Sequence, residues 1–435
     1  MKKTITLLLV LAMLLGLAAC DVSIDVEEGH MSESFDLDEA LEYISGLEPE
    51  TVTVEDTTLL APARDGSTGL FGFINLKGEW VVEPRYSSAV AFKEDVGLVL
   101  NTYSKYEYID RSGRIIYNVY DKHPIVESNH FSEGILAIAI DNGSMQRYAY
   151  VNKSFQTVIN AYGLPMVDWR YYENTFCFGL ATAFNGDHAV VMRQRNIDCN
   201  DWLDWESAYV IDKSGTITAV LPAGLDPNLS GVDNNGNIIM RTTDYLFGLY
   251  SKEGEMLIEC KYRALKHCED DLYLAQNDKG FWGYLDQNGN VVIPFQYQKA
   301  YPFSEGLAAV FDGRYWGFID QEGNLKIESV FDDVSPMKLA NADDPDVNGN
   351  KGAFCEGRAA VKKDGYWIII DQNEYPYICF TAEKCEGISG CPFIGISSGY
   401  VTYKQNVEGN ILCGVMTTSG KRVLDPSFTS IGIFN

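Results

Sequence analysis

The sequence predicts an all-β fold in which short antiparallel units are repeated in tandem and close into a ring like a β-propeller. A strand-like run that ends in a turn recurs nine times, with the turn pattern Asp/Asn-x-x-Gly in five of the nine units, and a Phe-Ser-Glu-Gly type of segment precedes several of these runs. One period, from Gln298 to Ser329, supplies four short extended pieces. Four strands in a unit of about 35 to 45 residues are typical of a propeller blade. An open β-solenoid of stacked three-stranded units is the alternative, and the uneven spacing of the units favours neither.

The N-terminal residues 1–19 are predicted to be a lipoprotein signal peptide. Lys2 and Lys3 precede an apolar run that is shorter than the roughly 20 residues needed to cross a bilayer. The end of this run, Leu17-Ala18-Ala19-Cys20, resembles the lipobox of bacterial lipoproteins. The resemblance implies that Cys20 is diacylated and anchors the protein outside the cytoplasm, on the cell membrane.

Residues 20–55 are predicted to be an acidic tether. Between Asp21 and Glu50 there are many acidic residues and no Lys or Arg, so the segment repels itself and extends. Leu37, Leu41 and Ile44 share a helical face, which predicts a short helix within the tether. The remaining residues, 56–435, are predicted to form the repeat domain.

The nine units align on the last residue of each turn. The step from Gly289 to Gly323 is 34 residues, whereas the step from Phe155 to Gly215 is 60, so insertions interrupt a period near 35. The aligned residues are Gly78, Gly113, Phe155, Gly215, Gly254, Gly289, Gly323, Glu374 and Gly420.

A second signature occurs at Phe131–Ala137, Phe303–Val310 and Phe354–Val361. Together with the pairs Trp282-Gly283 and Trp316-Gly317, it resembles the WG-repeat family of bacterial proteins. The resemblance covers roughly residues 68 to 428. It implies a repeat architecture and no particular activity.

Each unit has a simple physical interpretation. The acid that opens the turn accepts hydrogen bonds from backbone N–H groups, and the closing Gly tolerates a positive φ. The Gly inside the aromatic strand, such as Gly72 or Gly283, is predicted to mark the close approach of a neighbouring backbone or ring. Pro84 and Pro294 cannot donate to a strand ladder, so they are predicted to lie in an edge strand or at a strand end.

Composition excludes two classes of protein. The chain of 435 residues is 46% hydrophobic, which is too apolar for a wholly disordered protein. It carries 34 Lys and Arg against 61 Asp and Glu, a net charge of −27, and no basic cluster offsets this excess. Since nucleic-acid binding depends on the neutralisation of phosphates, no nucleic-acid partner is expected.

Gly395–Gly399 matches the nucleophile-elbow pattern of hydrolases, but its context does not fit. The elbow is followed by a helix and later by a histidine, whereas a strand-like run follows here and the last histidine, His267, lies upstream. The segment is therefore predicted to be a hairpin. No catalytic residue, metal site or cofactor is predicted from the sequence.

Nine cysteines remain apart from Cys20, with no Cys-x-x-Cys pair among them. Cys379, Cys385 and Cys391 are close enough in sequence for a loop disulfide. Buried free thiols that pack as small apolar groups are an equally good interpretation.

Two segments are candidate binding sites. Asp344–Asn350 fits the opening of a calcium loop, but Cys355 stands where the closing acid belongs, so a solvated acidic loop is preferred. The longest interval between units, from Phe155 to Gly215, contains several aromatic residues. These residues are either a contact surface for a ligand or packing within a divergent unit. These candidates are Trp169, Tyr171, Tyr172, Trp202 and Trp205.

The sequence therefore predicts a non-catalytic, membrane-anchored scaffold that binds protein or carbohydrate at the cell envelope. A hydrolase built on a propeller is the alternative, and it would need acids or a metal that converge in one site. Solute capture for a transporter would need two α/β lobes, which the strand-only pattern argues against.

Overall fold

The computed structural model describes residues 49–118, 130–141, 146–159, 176–195, 208–222, 225–269, 271–335 and 353–435. Within these residues every regular element is a β-strand, and consecutive strands pair in antiparallel fashion into nine blades. The predicted helix at residues 37–44 lies outside the described residues.

Blades 1 to 3 contain β1 (Leu60–Arg64), β2 (Phe71–Asn75), β3 (Trp80–Ala89), β4 (Gly97–Asn101), β5 (Tyr106–Ile109), β6 (Ile115–Asn118), β7 (Ile135–Asp141), β8 (Gln146–Asn152) and β9 (Thr157–Ile159). Blades 4 to 6 contain β10 (Phe176–Ala181), β11 (His188–Arg195), β12 (Ala208–Asp212), β13 (Ile217–Val220), β14 (Leu225–Val232), β15 (Ile238–Thr242), β16 (Phe247–Tyr250), β17 (Met256–Tyr262), β18 (Ala264–His267), β19 (Leu272–Gln276), β20 (Trp282–Asp286) and β21 (Val291–Tyr297). Blades 7 to 9 contain β22 (Lys299–Ala300), β23 (Ala308–Phe311), β24 (Trp316–Ile319), β25 (Leu325–Phe331), β26 (Asp333–Ser335), β27 (Phe354–Cys355), β28 (Arg358–Lys363), β29 (Tyr366–Ile370), β30 (Pro376–Phe380), β31 (Phe393–Ser397), β32 (Tyr400–Val407), β33 (Asn410–Thr417) and β34 (Arg422–Phe428). The last strand, β35 (Ser430–Ile431), returns to blade 1.

Strand pairing between the two ends of the repeat domain closes the ring. Ile431 and Ser430 of β35 pair with Ala63 and Arg64 of β1, so the first strand of blade 1 comes from the C-terminal part of the chain. Blade 9 packs on blade 1 through one buried cluster. The predicted ring is thereby confirmed, and the alternative of an open stack of three-stranded units is wrong.

The hydrophobic core lies between blades rather than inside them. Tyr284 and Ile293 of blade 6, for example, are buried against Phe303 and Ala308 of blade 7. A single four-stranded sheet has two apolar faces, of which one is covered by the preceding sheet along the chain and the other by the following sheet. Each blade therefore depends on both of its neighbours.

Blades 1 and 2 share one strand. β3 is ten residues long, and Tyr86 in its middle pairs both with Phe71 of β2 and with Asn101 of β4. Its first half is the outer strand of blade 1 and its second half is the first strand of blade 2. The two blades and β35 thus form a continuous sheet of seven strands.

The antiparallel order defines two ends of the ring. Turns from the first to the second strand of a blade and from the third to the fourth lie at one end, which we call the latch end. Turns from the second to the third strand, and the connections between blades, lie at the other, which we call the aromatic end.

The Asp/Asn-x-x-Gly turns have the expected geometry. In blade 6 the Oδ1 atom of Asp286 accepts hydrogen bonds from the N–H groups of Asn288 (2.9 Å) and Asn290 (2.8 Å), and Gly289 has a φ of 79°. Each of the nine predicted turns joins the last two strands of its blade.

The Gly of the aromatic strand lies directly against the neighbouring backbone. A Cβ atom on Gly283 would lie 2.8 Å from the carbonyl oxygen of Ile293 and 2.9 Å from the nitrogen of Phe295. The pairing register shifts at this point, and the fourth strand bulges towards the glycine. Pro294 lies within the bulge of β21, the outer strand of blade 6, and this strand continues to Tyr297. Pro294 therefore occupies an edge strand, as predicted, and does not lie at the end of that strand.

Residues before β1 also contact the ring. The N–H group of Val52 donates to the carbonyl oxygen of Arg422 (2.8 Å), and the N–H group of Arg422 donates to the carbonyl oxygen of Glu50 (2.7 Å). The Nζ atom of Lys421 lies 3.1 Å from a carboxylate oxygen of Glu50. The end of the predicted tether therefore meets blade 9 at the latch end.

Candidate binding face

The Phe-Ser-Glu-Gly signature links the blade that carries it to the next blade at the latch end. In blade 7 the ring of Phe303 is buried 4.7 Å from the ring of Tyr284 in blade 6. The hydroxyl of Ser304 donates to the carbonyl oxygen of Phe354 in blade 8 (2.8 Å). The Oε2 atom of Glu305 accepts a hydrogen bond from the N–H group of Gly357, also in blade 8 (2.8 Å). We call this set of contacts the latch.

The latch recurs around the ring in the same direction. Glu133 of blade 3 accepts from the N–H group of Asp187 in blade 4 (3.1 Å). Glu356 of blade 8 accepts from the N–H groups of Ser398 and Gly399 in blade 9 (2.7 Å each). The carboxylates of Glu133, Glu305 and Glu356 thus each serve the blade that follows them.

Side chains from the third-to-fourth strand turns add to the latch. The Nζ atom of Lys153 lies 3.1 Å from the Oε2 atom of Glu94, and that of Lys213 lies 3.0 Å from the Oε2 atom of Glu133. In blade 8 an uncharged side chain occupies this place, and the Nε2 atom of Gln372 donates to the carbonyl oxygen of Glu305 (2.9 Å). The recurring acids at this end thus have structural partners.

Replacing Glu356 with Gln tests the latch with little change of shape. We expect the free energy of unfolding to fall by about 1 kcal/mol, because the amide nitrogen of Gln cannot accept one of the two hydrogen bonds and the remaining one is no longer charge-assisted. Denaturant titration measures this change. Glu255→Gln, at an exposed turn position of the same end, is the matched control, and an equal loss in both variants would contradict the role of the latch.

A buried polar cluster joins blades 5 and 6 where the usual latch is absent. The hydroxyl of Tyr273 donates to the Oδ2 atom of Asp233 (2.6 Å), and the Nδ2 atom of Asn237 donates to the same hydroxyl (3.3 Å). The ring of His267 lies edge-on to the ring of Tyr273, and its Nε2 atom is buried without a hydrogen-bond partner. Burial lowers the pKa of His267, although the charges of Asp233 and Asp271 act in the opposite direction.

The lowered pKa of His267 predicts a loss of stability in mild acid. The unfolded chain binds this proton near pH 6.5, whereas the folded chain binds it only at lower pH, so acid below about pH 6.5 favours unfolding. His267→Phe keeps a ring at this position and removes the titration. We expect the variant to lose less stability than the parent protein between pH 7 and pH 5 in thermal unfolding, and an unchanged difference would contradict the assignment.

The aromatic end presents a row of rings on four consecutive blades. Tyr245, Phe281, Tyr315 and Tyr366 each lie at the turn between the second and third strands of blades 5, 6, 7 and 8. Tyr245 is 67% exposed and Phe281 is 39% exposed, whereas Tyr315 and Tyr366 are half-buried. We call these four residues the aromatic arc.

Backbone hydrogen bonds fix the turns that carry the aromatic arc. The N–H group of Tyr245 donates to the carbonyl oxygen of Thr242 (2.9 Å), and that of Phe281 donates to the Oδ1 atom of Asn277 (3.0 Å). The N–H group of Tyr315 donates to the Oδ1 atom of Asp312 (2.9 Å). The rings are therefore presented on short, rigid supports, which lowers the entropy lost on contact with a ligand.

Cationic side chains pack against two rings of the aromatic arc. The guanidinium carbon of Arg241 lies 4.5 Å from the ring centroid of Tyr245, and that of Arg314 lies 5.1 Å from the centroid of Tyr315. Each of the four turns carries or adjoins one basic and one acidic residue beside its ring. These residues are Arg241 and Asp244, Lys279 and Asp278, Arg314 and Asp312, and Lys363 and Asp364.

The two ends of the same four blades differ in charge. In the described turns of the latch end, the basic residues of blades 5 to 8 are Lys252 and Arg358. The acids there are Asp233, Glu253, Glu255, Glu269, Asp271, Asp286, Glu305, Asp320, Glu322, Glu356, Asp371 and Glu374. The aromatic arc thus lies in a balanced region of a strongly acidic protein.

Several residues singled out from the sequence lie outside the described residues. Cys20, the aromatic candidates Trp169, Tyr171, Tyr172, Trp202 and Trp205, and the candidate calcium loop Asp344–Asn350 are of this kind. Their roles stay predictions. Among the described residues, no group of three or more His, Cys, Asp or Glu side chains is placed to hold a metal ion.

The nucleophile-like segment is a hairpin, as predicted. Ser398 and Gly399 form the turn between β31 and β32, both with positive φ, and the hydroxyl of Ser397 donates to the Oδ1 atom of Asn435 (3.0 Å).

Seven cysteines are free thiols: Cys260, Cys268, Cys355, Cys379, Cys385, Cys391 and Cys413. Burial raises the pKa of Cys268, Cys355 and Cys379 to about 12, so these thiols stay protonated. Cys385 and Cys391 pack at the edge of the core between blades 8 and 9. Of the two interpretations left open by the sequence, the structure shows packed thiols at Cys379, Cys385 and Cys391.

Sequence reasoning missed the aromatic arc, although a signal for it was present. In Phe281-Trp282 and Tyr315-Trp316 two aromatic residues are adjacent, and the first of each pair stands just before the strand begins. Phe281 and Tyr315 therefore belong to the turn rather than to the packed sheet.

Comparison with protein families assigns the repeat. Segments 71–102, 282–313 and 316–338 match the model of the WG containing repeat. The chain contains WG repeats. The matched WG repeats start at the third strand of one blade, and the first two of them run to the second strand of the next, so one repeat straddles two blades.

Solved structures show similarity of fold. A crystal structure of the eukaryotic initiation factor matches with a TM-score of 0.51 and 11% identity, over 88% of this chain and 98% of that chain. BamB from Moraxella catarrhalis (TM-score 0.34, 10% identity, 76% of this chain and 92% of that one) and the C-terminal WD40 domain of Sif2 (0.35, 12%, 81% and 95%) also match. Among curated proteins, no significant match is found.

Proposed function

We propose that this WG-repeat protein is a non-catalytic scaffold, anchored outside the cytoplasm by lipid on Cys20, that binds protein or carbohydrate through the aromatic end of its ring. The observation that carries the proposal is the exposure of the aromatic arc on rigid turns. Exposed aromatic residues on rigid supports are typical of recognition surfaces.

The latch supports a scaffold rather than an enzyme. The Ser, Glu and Asp residues that recur in the sequence are the residue types of hydrolases, but here Ser304, Glu305 and Asp286 hold turns and blades together. Their repetition follows from the repetition of the blade.

The strands that flank the sequence-predicted aromatic candidates agree with this proposal. β9 ends at Ile159, β10 begins at Phe176, β11 ends at Arg195 and β12 begins at Ala208. All four strand ends lie at the aromatic end. Both stretches of sequence that contain the aromatic candidates are therefore joined to the ring at the end that presents the aromatic arc.

The anchor is tested with the full chain and Cys20→Ser. Metabolic labelling with a fatty-acid analogue is expected to label the parent protein, and fractionation is expected to place it with membranes. The variant should lose both. A labelled variant, or a parent protein without label, would contradict the anchor.

Binding is tested on arrays of glycans and envelope proteins with the full chain in detergent. The expected result is a ligand that binds the parent protein and does not bind the double variant Tyr245→Ala/Phe281→Ala. The variant should unfold at the same temperature as the parent protein, and the ligand should keep its chain length after incubation. Trp169→Ala/Trp202→Ala tests the sequence-predicted contact residues in the same assay. Binding that survives removal of the aromatic arc would place the site elsewhere, and cleavage of the ligand would overturn the non-catalytic assignment.

A further inference from the structure

The aromatic arc has the chemistry of a surface for one class of ligand. We infer that it binds a linear, uncharged polysaccharide whose successive sugars lie along the turns of blades 5 to 8. This inference rests on the proposed function and names the ligand class of the same face.

The charge of the protein argues against anionic and basic polymers as ligands of the aromatic arc. The protein carries a net charge of −27, so an anionic polymer is repelled at long range. A basic partner would be drawn to the acidic latch end rather than to the arc, where each ring has one acid and one base beside it. An uncharged ligand is the one that the balanced arc accepts without electrostatic cost.

The groups beside each ring suit a ligand rich in hydroxyl groups. A sugar hydroxyl donates one hydrogen bond and accepts others. Asp278 and Lys279 are both exposed beside Phe281, and Asp312 and Arg314 are both exposed beside Tyr315, so an acceptor and a donor accompany these rings. The negative face of an aromatic ring attracts the weakly positive C–H groups of a sugar, in the same way that it attracts the edge of another ring.

Repetition argues for a polymer rather than a single sugar. The four rings occupy equivalent turns of four consecutive blades, so the surface repeats with the blade. A chain of linked sugars that reaches a second ring gains affinity because the second contact is intramolecular. Affinity is therefore expected to rise with chain length, which a site for a monosaccharide would not show.

Calorimetric titration of the full chain in detergent tests the inference. The probes are cello-oligosaccharides and xylo-oligosaccharides of two to eight sugars, with oligogalacturonates of the same lengths as the anionic comparison. We expect one neutral series to bind with a dissociation constant that falls with length, and to bind equally at 50 and 500 mM NaCl, because screening affects charged ligands only.

Variants locate the contact. Tyr245→Ala and Phe281→Ala are each expected to weaken the longest oligosaccharide about threefold to tenfold and to leave the shortest nearly unchanged. Tyr103→Ala is the matched control, since Tyr103 is 81% exposed at the same end but belongs to blade 2. Equal effects of all three variants, or affinity independent of length, would overturn the inference.

Other outcomes separate this inference from the proposed function. Salt-sensitive binding of oligogalacturonates would overturn the neutral ligand and keep a carbohydrate scaffold. Binding of an envelope protein through the aromatic arc, with no glycan bound, would overturn the polysaccharide and keep the scaffold. Binding of neither class would overturn both.

Discussion

Replacing Ile431 and Phe434 together with Ala is expected to abolish the stable folded ring. Both side chains are about 1% exposed and pack with blades 1 and 9 in the cluster where the ring closes. Truncation of a buried Ile or Phe to Ala costs about 2 to 5 kcal/mol each, against a total stability of about 5 to 15 kcal/mol for a typical domain. The measurement is near-ultraviolet circular dichroism on heating, combined with size-exclusion chromatography of the monomer.

Ser430→Ala serves as the control for this pair, because it changes the same strand outside the cluster. It should unfold at nearly the temperature of the parent protein. A double variant that stays monomeric and melts like the control would show that the closure of the ring contributes little to stability.

Replacing Gly283 with Ala is expected to have the second-largest effect, a loss of about 2 to 3 kcal/mol in the free energy of unfolding. The new methyl group would meet the carbonyl oxygen of Ile293 and the nitrogen of Phe295 at less than 3 Å, and backbone atoms within a sheet cannot turn aside as a side chain does. Urea titration of parent and variant measures the difference.

Gly306→Ala separates crowding from backbone strain. Gly306 has a φ of 80°, and a Cβ atom there would have no neighbour within 4 Å, so only the cost of a left-handed conformation remains, about 1 kcal/mol. If Gly306→Ala were the more destabilising of the two, close approach would not be the reason for glycine in the aromatic strand.

The repeat and its turns were predictable because they are local. An acid that caps a turn and a glycine with positive φ lie within a few residues of each other, as in Asp286 and Gly289, so one blade displays the whole pattern. For the same reason, the strand-like runs that end at these turns predicted the strands, although an inner strand such as β24 is buried on both faces. Four strands per period then led to the propeller.

The contacts between blades were not predictable from the same signals. Ile431 pairs with Ala63, and nothing in either short segment identifies the other as its partner. The signature at Ser304 and Glu305 was visible, but its partners Phe354 and Gly357 lie about fifty residues away across an insertion. Only the curvature of the assembled ring brings them together.

The direction of the latch has a consequence for how such rings change in size. Because a latch turn offers its carboxylate forward to main-chain N–H groups, it requires no particular side chain on the blade that follows. Glu356 accordingly serves Ser398 and Gly399 as readily as Glu305 serves Gly357. Duplication or loss of a module between latched blades would therefore leave its junctions chemically complete, whereas the side-chain cluster of Asp233, Asn237 and Tyr273 ties blades 5 and 6 to each other.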